Sequence, residues 1–206
     1  MTEVLVPAAR LARWVENFAD RHGDTSFTVD SGALVGAAVD GSTFAARLPF
    51  DVSYAGSPDP DAFAGAVVAP GAWGVLLVRK GGFAVARLAG SGLVEHKIGQ
   101  RHVQGRTKAG GQSQQRFARR RDNQARQAYE AAAEHAARVL GGDPLRRSMP
   151  VVTGGDRAAV DEVLADARLG HLTVTGPWLP VPDPRRAVLD RAIADARSVR
   201  IDVVNA

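Results

Sequence analysis

The chain has 206 residues, no cysteine and 45% hydrophobic residues, which bounds it to one large domain or a domain with a small appendage and excludes global disorder. Without cysteine there are no disulfides, thiolate metal sites or cysteine nucleophiles, a composition that fits a cytoplasmic protein. The net charge is +4. The N-terminus shows no charged segment followed by an apolar core, and no apolar run approaches the roughly 18 residues of a membrane span, so neither a signal peptide nor a spanning helix is expected.

In chain order, residues 7–21 read as an amphipathic helix, because Leu11, Trp14, Val15 and Phe18 recur at helical spacing and Gly23 supplies a stop. Strand-like runs follow at 26–29, 33–39 and 43–48, with Asp40-Gly41 as a hairpin turn. Residues 51–70 hold Pro58, Pro60 and Pro70 among few apolar side chains, which reads as a long connection and a subdomain boundary. Runs at 73–79, 83–88 and 93–98, separated by Gly81-Gly82 and Gly90-Ser91-Gly92, predict a three-stranded meander.

A Gly-, Gln- and Arg-rich stretch, residues 99–115, reads as an exposed loop. A long helix over 113–140 follows, with a buried stripe at Phe117, Ala125, Ala128, Ala132, Ala136 and Val139, and Gly141-Gly142 as its stop. Residues 149–153 then predict a strand, Gly154-Gly155-Asp156 a turn with Asp156 as N-cap, and 156–167 and 185–196 two helices. Residues 199–204 read as a last strand. The second half is therefore expected to be an α/β fold, a mixed β-sheet with a β-meander flanked by helices in layers.

Charge is concentrated in one place. Between positions 97 and 126 the chain carries nine Lys or Arg and one acid, Asp122, a net +8 that leaves the remainder of the chain at −4. An acidic body with one basic strip is the footprint expected of a phosphate-backbone binder, and a solvated charged face is the plain alternative. Within the strip lies Gly110-Gly111-Gln112, between a strand end and a helix start, where function sits in many α/β sheets. The five histidines, His22, His96, His102, His135 and His171, show no metal-ligand spacing, so no metal and no cofactor is expected. Gly154-Gly155 lacks Walker or dinucleotide spacing and reads as a turn.

Alone, Gly-Gly-Gln is a weak signal. The string KAGGQSQQRFARRRDNQAR around it resembles the signature of the release-factor-like peptidyl-tRNA hydrolases, in particular their actinobacterial branch, which are related to the Vms/ANKZF tRNA hydrolases. Both resemble the central catalytic domain of eukaryotic and archaeal class 1 release factors. The flanking GVLLVRKGGFAVARLAGSGLVEHKIGQRHVQGRTK, VVTGGDRAAVDEVL and PDPRRAVLD fit the same family. The resemblance implies a layered α/β/α catalytic domain over residues 70–206, with 1–69 as an N-terminal segment of helix and strands.

It also implies the reaction, hydrolysis of the ester joining a nascent peptide to the tRNA 3′ end. Gly110 and Gly111 would let the backbone approach an RNA cleft closely, and Gln112 would position the attacking water while its N–H stabilises the developing oxyanion. In the Vms-like relatives the critical glutamine follows Gly-Gly with one residue between, so Gln114 and Gln115 stay open beside Gln112, which is taken first. Arg106, Lys108, Arg116, Arg119, Arg120 and Arg126 would grip tRNA or ribosomal RNA phosphates without reading sequence. The implied partners are peptidyl-tRNA and the large ribosomal subunit. With no stop-codon-reading domain in view, the activity expected is codon-independent release from stalled large subunits. A nuclease acting on the tRNA CCA end and a non-catalytic RNA-binding module remain as alternatives.

Overall fold

A computed structural model gives the fold; it describes residues 1–100, 113–141 and 148–206, with residues 113–125 described by their backbone alone. The described chain forms ten strands and five α-helices, arranged as two five-stranded sheets. It divides into two compact units. The first comprises Met1–Pro70, Thr175–Pro177 and Ile193–Ala206, and the second Gly71–Val174 and Trp178–Ala192.

The first unit is built on a fully antiparallel sheet of β1 (Thr2–Val6), β10 (Val199–Val204), β4 (Thr43–Arg47), β3 (Ala33–Ala38) and β2 (Thr25–Asp30), in that order. Helix α1 (Leu11–His22) buries Leu11, Val15 and Phe18, one stripe at 3.6-residue periodicity, against Phe44, Ala46 and Ile201. It begins after a 3-10 turn at Ala8–Arg10, four residues later than the periodicity suggested, and Gly23, at φ +88°, ends it. A short helix α2 (Pro60–Gly65) lies inside the stretch expected to be a plain connection. Asp59 caps it by accepting from the Ala62 N–H at 2.7 Å, and Phe63 anchors it in the core.

The second unit carries a mixed sheet ordered β7 (Gly92–Gln100), β6 (Gly82–Ala89), β5 (Trp73–Arg79), β8 (Met149–Gly155) and β9 (Leu172–Leu179). The meander β5–β6–β7 is antiparallel, while β5 and β8 are parallel. Six of the seven residues of β5 are buried, as expected of a central strand covered on both faces. Helices α3 (Ser113–Leu140) and α4 (Arg157–Leu164) pack Ala132, Ala136, Val139, Val160 and Val163 onto Leu76, Val78, Phe83 and Val85. A side chain at Gly74 would collide with Leu140, at 2.6 Å, so glycine there lets α3 settle against β5.

Several expectations change. The strand at 199–204 exists, but it pairs with β1 and β4 rather than extending the second sheet, because two antiparallel partners in the first unit complete its hydrogen bonds on both sides. Gly154 and Gly155 end β8 instead of forming a turn. A side chain on Gly154 would meet the Leu179 carbonyl and one on Gly155 the Val78 carbonyl. Asp156 stands at the N-cap of α4 but makes no side-chain cap bond. That helix ends at Leu164, and a separate 3-10 turn follows at Ala167–Leu169. The last helix, α5 (Arg186–Ala196), leads into β10. No described helix is long and apolar enough to cross a membrane.

Candidate functional site

The basic strip joins β7 to α3. β7 is an edge strand, mostly exposed, and it ends at Gln100; α3 begins at Ser113. Arg106, Lys108, Gly110, Gly111 and Gln112, with His102, fall at positions 101–112 and so lie outside the described residues. Gln114, Gln115, Arg116, Arg119 and Arg120 lie in the first turns of α3, described by backbone only. Arg126 is exposed.

Seven residues carry an α-helix through nearly two full turns, so 126, 133 and 140 share one phase. Ala133 and Leu140 are buried on the sheet, yet Arg126 is open. Arg126 thus shares the helical phase of Ala133 and Leu140 while its own side chain is exposed, as expected of a residue facing solvent or RNA. With a rise of 1.5 Å per residue, the 28-residue helix is about 42 Å long, and among its described side chains those packed into the core run from Tyr129 to Leu140.

Three arrangements fix the roots of the strip. First, Phe83 on β6 is the register partner of Gly99 on β7, and a side chain on Gly99 would overlap the phenyl ring. The same ring stacks on His135 of α3 at 5.5 Å between centroids, so one aromatic side chain contacts the strand before the strip and the helix after it. Second, Glu95 on β7 accepts from Arg138 of α3 at 2.6 Å and lies 3.8 Å from Arg87 on β6. Third, Arg186 lies 3.2 Å from His96 Nε2 while pairing with Asp190 at 2.9 Å. At the far end of α3, His171 Nε2 donates to the Leu140 carbonyl at 3.2 Å, satisfying one of the carbonyls that a helix C-terminus leaves without partners.

Sequence reasoning did not single out Phe83, Glu95 or Arg138. Their signal is only spatial, since Phe83 reads as an ordinary core position and Glu95 as an ordinary surface charge. His135, one of the five histidines without metal-ligand spacing, stacks on Phe83. Among the described residues no cluster of His, Asp and Glu is placed to hold a metal ion.

The sequence model of the actinobacteria/chloroflexi VLRF1 release factor matches residues 71–202, nearly two thirds of the chain. The chain belongs to this release-factor family. The match begins just before β5, spans the whole basic strip and ends within β10, so Gly110, Gly111 and Gln112 fall inside it. Membership implies, in general terms, peptidyl-tRNA hydrolysis and interaction with the ribosome. Residues 1–70 lie outside the matched span of the release-factor family. No curated protein matches the chain.

Proposed function

We propose that the protein is a codon-independent peptidyl-tRNA hydrolase of the cytoplasm that frees nascent chains from stalled large ribosomal subunits, and that the second unit, Gly71–Val174 with Trp178–Ala192, forms a catalytic domain like the central domain of class 1 release factors. The observation that carries this reading is the position of Gly110-Gly111-Gln112: inside the span matched by a release-factor family, within a strip of net charge +8, between an edge strand and a helix whose C-terminal half packs into the core.

The chemistry follows from the substrate. Water adds to the ester carbonyl carbon, the carbonyl oxygen takes up negative charge, and the bond to the tRNA ribose oxygen breaks as that oxygen receives the proton. Gln112 orients the water through its side-chain amide and offers its backbone N–H to the oxyanion. Gly110 and Gly111 remove the side chains that would hold the backbone away from RNA. Arg106, Lys108, Arg116, Arg119, Arg120 and Arg126 bind phosphates and so supply affinity rather than sequence preference.

The test is release of labelled peptide from purified peptidyl-tRNA–large-subunit complexes. The products expected are free peptide and full-length tRNA with an intact 3′ adenosine. A tRNA shortened at its CCA end would replace this reading with a nuclease, and no release by the wild type would leave a binding module.

A further inference from the structure

In the first unit a cavity of about 290 Å³ opens between the C-terminal half of α1 and the neighbouring strands β1 and β10. It sits near the lower end of the roughly 300–1,000 Å³ range of small-molecule sites. Its inner wall is aromatic. Trp14 is half-buried, stacked near Phe18 at 5.8 Å and edge-on to Phe44 at 5.1 Å, and it still lines the cavity. The rim is polar: Asn17 and Arg21 stand one helical turn apart on α1, with Thr2 and Asn205 across from them.

These polar groups are not spent on the fold. His22, also at the cavity, is bonded to Asp40 at 2.8 Å. Among the described residues no hydrogen bond or ion pair engages the side chains of Asn17, Arg21 or Asn205. Arg21 is thus a cation left for a ligand, and it stands in the last turn of α1, where a positive charge offsets the negative end of the helix dipole.

We propose that this cavity binds a nucleotide, with its base against Trp14, the base edge bonded by Asn17 and Asn205, and its phosphate held by Arg21. Each part of the ligand meets the group suited to it. A planar base stacks on an indole, primary amides match the adjacent donors and acceptors of a base edge, and a guanidinium pairs with phosphate in a fixed fork. A purely apolar ligand would make no use of the two amides and the guanidinium on the rim. The site lies in the first unit, and its proposal does not depend on the hydrolase reading. The chemistry is shared by a free mononucleotide and by an unpaired nucleotide of RNA.

The experiment is calorimetric titration of the full-length protein with AMP, GMP, CMP and UMP, and with a 5′-phosphorylated single-stranded tetranucleotide. The tetranucleotide arm is repeated in an Arg116→Ala/Arg119→Ala/Arg120→Ala/Arg126→Ala background, which removes the arginines assigned to phosphate binding on α3. Arg21→Ala and Asn17→Ala change exposed residues outside the core, so the fold persists. At least one probe is expected to bind, and each substitution to weaken it about tenfold. A 4-thiouridine tetranucleotide is expected to crosslink to the peptide containing Trp14. Tighter binding of the tetranucleotide assigns the site to RNA, and equal or tighter binding of a mononucleotide assigns it to a free nucleotide. No binding by any probe, or binding unmoved by both substitutions, overturns the proposal.

Discussion

Phe83 and Gly99 face each other across the β6–β7 ladder, and the ring of one occupies the space a side chain on the other would need. Glycine weakens a strand, and an aromatic ring laid over it restores cover and register. The first sheet repeats the device, with Phe27 and Phe44 flanking Gly36 and the Phe44 ring filling its side-chain space. In the second sheet the pair stands just before the basic strip, and Phe83 also stacks on His135.

Gly99→Ala is therefore expected to displace the ring and to cost about 1–3 kcal/mol, the range for overpacking a filled site. At about 2–4 °C per kcal/mol for a chain of this size, thermal melting reads the loss directly. Trimming the ring in the double variant Gly99→Ala/Phe83→Leu is expected to cost less than the sum of the single changes. Strict additivity would show that the two residues do not share that space.

The arginines of α3 are expected to act through charge. Replacing Arg119 and Arg120 by alanine should weaken binding to the large subunit and flatten its salt dependence, with the slope of log K against log salt falling by about 0.7–0.9 for each phosphate no longer neutralised. Arg126→Ala should release about one such phosphate. Binding curves from low to high salt check this; an unchanged slope in the double variant would place those arginines away from RNA.

Acid should loosen one turn of the second unit. Asp166 accepts hydrogen bonds from the Arg168 guanidinium, at 2.6 and 2.9 Å, and from the Arg168 N–H, at 2.9 Å. The side-chain bond, followed by the backbone bond, lowers its pKa from 3.8 to about 2. A depressed carboxylate stabilises the folded state above its unfolded pKa, and that stability is lost as pH falls through the folded value. The melting-temperature gap between wild type and Asp166→Ala should be full at neutral pH and narrow between about pH 4 and pH 2. A gap constant over that window would mean that the carboxylate charge contributes nothing.

What was legible in the sequence depended on how local the signal was. The meander announces itself through Gly-rich turns between apolar runs, and α3 through its alanine stripe ending at Gly141. The basic strip is visible as charge alone. By contrast, β9 contains Gly176-Pro177, which reads as a break, yet among the described strands β9 lies at the sheet edge, the position where a sheet tolerates proline. β1 buries one residue of five, too few to show alternation. The placement of β10 depends on pairing with segments far away in sequence, which no periodicity records. For α2 the signal was present in Asp59-Pro60, a cap followed by proline at the first helical position, but the surrounding prolines read as a linker.

The central claim concerns Gln112, and peptide release from purified peptidyl-tRNA–large-subunit complexes tests it most directly. Gln112→Ala is expected to lower the release rate by about 100-fold or more, the loss typical when a group that stabilises a developing oxyanion is removed, while binding to the subunit is retained. Gln114→Ala and Gln115→Ala should release peptide at close to the wild-type rate. Unimpaired release by Gln112→Ala, with a collapse in either of the other two variants, would contradict the assignment and move the catalytic glutamine into the first turn of α3.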